Sequence, residues 1–146
     1  MSSQNTLSMF LKQNKRPRPS VDFAATKSIL DAEGKPAVWR LRPLTTVEDE
    51  NIRDMCVQDV PIPGKKGQFR QKMNASLYMV RQVVAAVEFP NLVSAELQDS
   101  YGVKTPEDLV KQMVDNPSEY IDLVNKVREI SGFEDDQEDL VEDAKN

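Results

Sequence analysis

The stretch QKMNASLYMVRQVVAAVEF, residues 71–89, decides the fold of this chain because its apolar residues recur at helical spacing. Successive members lie four, three, four and three positions apart, which places them on one face of an α-helix. The stripe consists of Met73, Leu77, Val80, Val84 and Val87. Pro90 follows and ends the helix, because proline cannot continue the hydrogen-bond ladder. The pattern predicts a buried central helix.

Three further helix starts follow this one. Asn91 is a good N-cap for NLVSAELQDSYG, and Gly102 closes that segment. Two later starts pair an N-cap residue with proline at the first helical position, namely Thr105–Pro106 and Asn116–Pro117. The last helix is expected to run to about Ser131 and to end at Gly132, with Phe133 supplying the apolar contact of the cap.

Upstream of the central helix, the sequence predicts a β-hairpin and one more helix. The strands are expected over about 21–29 and 37–42, and DAEGKP between them carries turn residues. Trp39 is expected to point into the core of this hairpin. A capping box of Thr45 and Glu48 predicts a helix over 45–58. The prolines and glycines of 59–72 predict an exposed loop.

The predicted fold class is therefore α+β and mainly α, with a small N-terminal β-hairpin, about five packed helices and flexible termini. We expect a flexible basic arm over 1–20 and a single globular domain over 21–133, with the hairpin at 21–43 and the helices at 45–133. Residues 134–146 form an acidic C-terminal tail. The arm holds four cations and no acid, whereas the tail holds seven acids and one lysine. Such ends are typical of solvated tails.

Catalytic chemistry is not indicated by this composition. The chain has no histidine, so it lacks the commonest general base and metal ligand. Cys56 lies between apolar residues and is expected to be a buried, inert thiol. The segment PGKKGQ lacks the spacing of a phosphate loop, and the acidic tail lacks the ligand order of an EF-hand. We expect no enzyme activity, no cofactor and no metal site.

Charge and hydropathy narrow the class of partner. The net charge of −5 is unfavourable for nucleic acid or an anionic membrane. No stretch approaches the roughly 20 apolar residues of a membrane-spanning helix. Amphipathic helices with charged ends are typical of a cytosolic binding protein, an adaptor or a chaperone. The piece TLSMFLKQ could add a docking helix with Leu7, Phe10 and Leu11 on one side.

Residues 83–113, VVAAVEFPNLVSAELQDSYGVKTPEDLVKQM, resemble the XkdN-like tail assembly chaperones of phages and defective prophages of Gram-positive bacteria. The likeness continues in EYIDLVNKVREISGF and EDLVEDAKN, and in LSMFLKQN and WRLRPLT near the start. It covers nearly the whole chain, is most specific over Pro90–Val103 and is least close over 59–72. The resemblance has no catalytic residues to transfer.

The resemblance implies a specific partner. Such proteins hold the long, helical, aggregation-prone tape measure protein while tail tube subunits polymerise around it, and the tube protein then displaces them. A member of this family would work in the cytoplasm of the bacterial host and would be absent from the finished virion. No oligomeric state follows from the sequence.

The resemblance also implies a second, longer form of the protein. In many phages the ribosome slips back by one base near the end of the first reading frame and adds a C-terminal extension. Ala144–Lys145–Asn146 can be encoded as GCA AAA AAC or GCA AAA AAT, which contains a run suited to slippage. We therefore expect a programmed frameshift there, the alternative being an ordinary solvated terminus.

The expected partner-binding surface lies where the resemblance is densest. It comprises Phe89, Pro90, Leu92, Leu97 and Tyr101, together with Leu140 and Val141, the apolar pair of the acidic tail. The alternative reading is that the first five pack a turn between two helices. Two other functions remain open at this point: a structural tail or head-completion protein that stays in the particle, and an enzyme or nucleic-acid regulator.

Overall fold

A computed structural model describes residues 3–133 of the chain, and within this part six α-helices alternate with five strands. The helices are α1 Ser3–Ser8, α2 Thr46–Met55, α3 Ala75–Ala86, α4 Ala95–Ser100, α5 Pro106–Met113 and α6 Pro117–Ser131. The strands are β1 Val21–Phe23, β2 Trp39–Leu41, β3 Val57–Pro61, β4 Phe69–Met73 and β5 Val87–Phe89. A single 3₁₀ turn covers Lys12–Asn14.

The predicted fold class is wrong in its arrangement of strands. We expected one N-terminal hairpin followed only by helices, but the strands continue as far as Phe89 and form two separate sheets. The fold is mixed α+β. The strands that the prediction missed are β3, β4 and β5, whose sequences carry weak strand signals and which pair with each other or with β2.

The first sheet has the order β1-β2-β5 and is antiparallel throughout. Val21 lies opposite Leu41, and Phe23 lies opposite Trp39. Trp39 and Leu41 are buried while Arg40 between them is exposed, so the predicted alternation of β2 is confirmed. The first predicted strand is shorter than expected, because the chain leaves β1 after Phe23.

Strand β5 replaces the last turn that we predicted for the central helix. The helix ends at Ala86, and Val87–Phe89 pairs with β2. The Arg42 amide donates to the Ala86 carbonyl at 2.8 Å, which joins the helix end to the sheet. Val87 and Phe89 are β-branched and aromatic residues that suit a strand once a partner edge is available.

The second sheet is a two-stranded ribbon formed by β3 and β4. The prediction of a loop over 59–72 is wrong at both ends, because the pairing runs from Val57–Met73 to Pro61–Phe69. Only the tip is irregular, and there Gly64 and Gly67 have left-handed φ values of 77° and 79°.

Helix α3 is the centre of the molecule and packs against α2, α5, α6 and β5. Its buried face is rotated from the predicted stripe, since only Val80 of the predicted set is fully buried. The residues that point into the core are Ala75, Tyr78, Met79, Val80, Gln82, Val83 and Ala86. Other elements cover the helix on several sides. The spacing of apolar residues in the sequence therefore identified the helix but not the face that is most buried.

The capping predictions are confirmed at three helix starts and corrected at a fourth. Thr45 and Glu48 form a complete capping box, and Thr105 and Asn116 cap α5 and α6. Helix α4 instead begins after Ser94, whose hydroxyl accepts from the Leu97 amide. Gly132 has the expected left-handed conformation, and the Phe133 amide donates to the Arg128 carbonyl at 2.9 Å.

Within residues 3–133, none of the helices combines the length and hydropathy that crossing a bilayer requires. The same part of the chain contains no group of three or more Cys, Asp or Glu side chains placed to hold a metal ion.

Candidate protein-binding surfaces

Five of the predicted contact residues lie in the described part of the chain, and they differ in their exposure to solvent. Phe89 is 62% exposed and Tyr101 is 37% exposed. Pro90 and Leu97 are half-buried, and Leu92 is buried in the core. Leu140 and Val141 lie outside the described residues. Fewer of these residues are therefore accessible to a partner than the prediction assumed.

The turn between β5 and α4 positions these side chains. The Phe89–Pro90 peptide bond is cis. The Asn91 side chain accepts from the Val93 amide at 3.1 Å, so Asn91 stabilises the turn. Gln98 donates through Nε2 to the Leu92 carbonyl at 2.8 Å, which joins the turn to α4. Leu92 consequently points inward and Val93 outward.

Val93 is the residue of this segment that the prediction missed. It is 70% exposed, more than Phe89. Leu92 and Val93 are adjacent apolar residues, and a turn directs neighbouring side chains to opposite sides. The adjacency of the two residues was a sign that one of them would be exposed. Which of the two faces solvent depends on how the turn packs. Phe89, Val93 and Tyr101 together define the 89–101 surface used below.

Charged side chains cover the neighbouring outer face of the first sheet. Arg40 lies opposite both Asp22 and Phe89 in the strand register. Its guanidinium lies 3.4 Å from the Asp22 carboxylate and 3.3 Å from that of Glu88. Glu88 also accepts from the Ser20 hydroxyl at 2.7 Å. Phe89 therefore lies on a sheet face whose charges are already paired, which lowers the cost of covering that face.

The N-terminal segment offers a second exposed apolar surface. Leu7, Met9, Phe10 and Leu11 are all exposed, and Phe10 reaches 78%. The predicted docking helix is only partly formed, because α1 ends at Ser8 and Phe10 and Leu11 lie in the turns after it. Four large apolar side chains within five residues have no place in the core, an arrangement that is typical of a protein contact.

Arg18 fixes this segment to the domain. Its guanidinium donates to the Ser131 carbonyl at 2.9 Å and to the Leu44 carbonyl. Ser131 is the last residue of α6, and Leu44 lies between β2 and α2. Arg18 therefore attaches the arm to the domain, and the exposed apolar residues lie N-terminal to this attachment. The arm predicted over 1–20 therefore contains a residue, Arg18, that is hydrogen-bonded to the domain.

The buried polar groups of the molecule form a structural network. Arg128 is 1% exposed and donates to Gln82 Oε1 at 2.8 Å, and Gln82 in turn donates to Asp49 at 3.0 Å. Asp49 also accepts from the Tyr78 hydroxyl. Burial raises the pKa of Tyr78, which keeps the phenol protonated near neutral pH. These groups link α2, α3 and α6.

Cys56 behaves as predicted from its neighbours. It is fully buried, and burial raises the pKa of its thiol. A protonated, inaccessible thiol is a poor nucleophile.

A surface cleft of about 820 Å³ lies between the segment after β1 and the start of α6. Glu119 at its edge already accepts from the Thr26 hydroxyl at 2.7 Å and from the Lys27 amide at 2.8 Å. Its carboxylate therefore joins the segment after β1 to the start of α6.

Comparison with known proteins shows the family to which the chain is related. The sequence profile of the phage XkdN-like tail assembly chaperone proteins matches residues 7–145. The chain is 29% identical over 141 residues to the phage-like element PBSX protein XkdN of Bacillus subtilis strain 168, covering 96% of this chain and 93% of that protein. It is 30% identical over 141 residues, with the same coverage, to the uncharacterized protein YqbN of that strain.

A solved structure supports the fold. The crystal structure of the protein YqbN superimposes with a TM-score of 0.71, covers 87% of this chain and 96% of that chain, and has 20% sequence identity. At this identity the likeness concerns the fold alone.

Proposed function

Because the chain belongs to the phage XkdN-like tail assembly chaperone family, we propose that it binds the tape measure protein of its phage and keeps it soluble while the tail tube assembles. The observation that carries the proposal is the family match together with exposed apolar side chains on an otherwise well-packed domain. A long helical protein exposes apolar surface before it is enclosed, and a small partner can cover that surface temporarily.

The 89–101 surface is the proposed contact. Phe89 and Val93 supply most of the exposed apolar area, and Tyr101 lies further along the same segment and is partly exposed. Leu92 and Leu97 act as supports that hold the turn rather than as contacts. Aromatic residues at the centre of a contact contribute most of its binding free energy, so Phe89 is the expected anchor.

The N-terminal segment is the second proposed contact. Leu7, Met9, Phe10 and Leu11 supply apolar anchors, and the four cations of residues 12–18 discourage association with other cationic surfaces. A segment that is attached at its base through Arg18 can follow a partner whose surface changes along its length.

The proposal extends to the timing and the location of this activity. The chaperone acts in the host cytoplasm, the tail tube protein displaces it, and the finished virion lacks it. A longer form arises by ribosomal slippage at the codons of Ala144–Asn146, which lie outside the described residues. Reading the gene tests that point, because AAG as the codon of Lys145 removes the slippery run.

Co-expression with the tape measure encoded by the same phage tests the binding itself. We expect the wild-type chain to increase the soluble tape measure and to co-purify with it. The variant Phe89→Thr/Val93→Thr should reduce the recovered complex by about tenfold or more, since it removes an aromatic anchor. Threonine preserves the strand preference at position 89.

The matched control is Val47→Thr, which removes an equally exposed apolar residue from α2. If this control weakens the complex as much as the double variant does, the 89–101 surface is not the contact. If the wild-type chain neither solubilises nor binds the tape measure and mass spectrometry finds it in purified tails, it is a structural component and the proposed function is wrong.

A further inference from the structure

The β3–β4 ribbon is exposed along nearly its whole length. From Val57 to Lys72 only Val60 and Ile62 are even half-buried, and all other residues are exposed. The strands pack mainly on each other, and the ribbon joins the domain at its base, where the Asn74 amide donates to the Cys56 carbonyl at 2.8 Å. A long exposed ribbon requires an explanation, because isolated two-stranded hairpins are only marginally stable in water.

Its charge is opposite to that of the whole molecule. Residues 57–73 contain four cations and Asp59, whereas the chain has a net charge of −5. The four cations are Lys65, Lys66, Arg70 and Lys72. None of them has an ion-pair partner in the part of the chain that the structure describes. The other charged surface described above, around Arg40, is internally paired.

Strand β4 places its two cations on one face of the ribbon. Arg70 and Lys72 lie on that face, and Phe69, Gln71 and Met73 lie on the other, because successive residues of a strand point to opposite faces. Phe69 is 60% exposed. Strand β4 therefore presents a basic face and an opposite face that is apolar at its two ends, where Phe69 is exposed, Met73 packs partly against the core and Gln71 lies between them.

The outer edge of β4 is open to a further strand. Within the described residues β4 pairs only with β3, so its other edge carries unpaired amide and carbonyl groups. The opposite edge, on β3, is less suitable, because Pro61 has no amide hydrogen and Asp59 adds a negative charge. The β4 edge is the one that a partner strand can use.

We propose that the β4 edge binds an extended segment of another protein in which apolar and acidic residues alternate. The segment adds a third strand to the ribbon, so that its apolar side chains contact Phe69 and Met73 and its carboxylates contact Arg70 and Lys72. This surface is separate from the 89–101 surface, and the proposal does not depend on the tape measure as partner.

Charge decides between this occupant and two others. Pairing of β4 with β4 of a second copy places cations opposite cations, which is unfavourable. Nucleic acid is disfavoured because the molecule as a whole is negative and repels a polyanion. An alternating acidic strand satisfies the apolar face, the basic face and the open backbone at once.

The test measures binding of short fluorescent peptides to the full chain by fluorescence polarisation. The probe alternates Val and Glu. The controls are a peptide that alternates Val and Lys, a block peptide with the composition of the probe, and the probe with every second amide methylated. We expect the probe alone to bind, and NMR should show the amide signals of Phe69–Met73 shifting on addition.

Two charge variants carry the decision. Arg70→Glu/Lys72→Glu should weaken binding of the probe by about tenfold and improve binding of the Val–Lys peptide, because two attractive cross-strand pairs become repulsive. Lys65→Glu/Lys66→Glu makes the same change of charge at the tip and should have a much smaller effect. Unchanged amide signals for the ribbon base establish that both variants fold.

Several outcomes overturn the proposal. Equal losses in the two variants show attraction by net charge alone. Equal binding of the block or methylated peptide shows that no strand is added. Binding of duplex DNA more tightly than the probe, with loss in Arg70→Glu/Lys72→Glu, makes the ribbon a polyanion site. Failure of every peptide to bind also rejects the β4 edge and leaves the proposed chaperone function untouched.

Discussion

The pair of Arg42 and Glu48 shows how one residue contributes both to a helix start and to tertiary structure. Glu48 closes the capping box by accepting from the Thr45 amide at 3.1 Å. It also accepts from Arg42 Nη1 at 2.9 Å and from Arg42 Nη2. The hydrogen bonds from Arg42 lower the pKa of Glu48 from 4.5 to about 2, and desolvation opposes this effect only in part. The carboxylate is therefore stabilised in the folded state.

Glu48→Gln tests this stabilisation. Glutamine can still complete the capping box but lacks the charge that pairs with Arg42. Because the pKa is depressed on folding, the contribution is fully present above about pH 4.5 and is lost as pH falls towards 2. We expect a loss of about 1–2 kcal/mol at pH 7, after allowance for solvent screening of a pair that is one-third exposed.

Urea unfolding from pH 7 to pH 2.5 measures this difference. The stabilities of the wild type and Glu48→Gln should draw together as pH falls from about 4.5 towards 2 and should differ least at the lowest pH. Asp22→Asn, which removes a carboxylate from the more exposed pair with Arg40, should change little at any pH. A difference that stays constant with pH contradicts the assignment to the Glu48 charge.

Arg128 is a buried cation with few partners. Its Nε and Nη2 atoms are buried and have no hydrogen-bond partner among residues 3–133, and Nη1 donates to Gln82. The guanidinium lies 4.5 Å from the centre of the Phe133 ring, which supplies a cation–π contact. The single strong hydrogen bond to Gln82 therefore carries much of the compensation for burying this charge.

A double-mutant cycle at these two residues measures the coupling. Gln82→Leu should destabilise the fold by about 2–4 kcal/mol, because it leaves a buried cation without its acceptor. Arg128→Met/Gln82→Leu should be less destabilised than Gln82→Leu alone, since the unpaired charge is then absent. Urea unfolding of both single variants and the double variant gives the coupling energy. Additive effects of the two substitutions argue against the proposed dependence.

At the scale of elements, Asn74 is the point at which a strand becomes a helix. It follows β4 directly, and its side chain accepts from the Leu77 amide at 3.1 Å to begin α3. Its own amide is held by the Cys56 carbonyl at the ribbon base. The sequence 71–89 was predicted as one helix because no proline or glycine marks this change.

Asn74→Ala should therefore destabilise the domain by about 1 kcal/mol, the usual cost of removing an N-cap. Asn74→Ser keeps an acceptor at the same position and should lower the free energy of unfolding by only a few tenths of a kcal/mol. The two variants can be compared by their urea midpoints with equal denaturant slopes. A loss of similar size in both variants shows that packing at position 74, rather than the cap, is what matters.

At the scale of the whole molecule, the structure consists of a packed body and an exposed ribbon. The core joins Trp39 and Leu41 of the first sheet with α3, α5 and α6, and residues 57–72 contribute nothing fully buried to it. The domain boundaries expected from the sequence, 21–133 with two charged ends, stay a prediction. Because residues 57–72 bury so little, we expect the stability of the body to depend little on the ribbon.

Shortening the ribbon tests this division. Residues 60–70 are replaced by Asn-Gly, which joins Asp59 to Gln71, two residues that lie opposite each other in the ladder. We expect the midpoint of thermal unfolding to change by only a few degrees, because little buried surface is removed. Trp39→Ala serves as contrast and should cost about 3–5 kcal/mol. A comparable loss in the shortened chain shows that the ribbon supports the core.

The sequence by itself determined the features whose cause is local. The capping box at Thr45, the N-caps at Thr105 and Asn116 and the glycine at 132 act within a few residues, so they were read correctly. The alternation of β2 located buried Trp39, and the motif-rich segment after Phe89 identified the family.

Only the tertiary structure decided where the remaining strands form and which residues face solvent. Strand β5 exists because β2 offers an edge to Val87–Phe89, and the ribbon exists because β3 and β4 meet across a glycine turn. Leu92 is buried and Val93 exposed because of the way one turn packs. The pairing of β2 with β5 and the packing of this turn join residues that are distant in the sequence, so a local pattern of side chains does not contain them. The ribbon pairs neighbouring segments, and its mostly polar residues lack the apolar alternation that signals a strand.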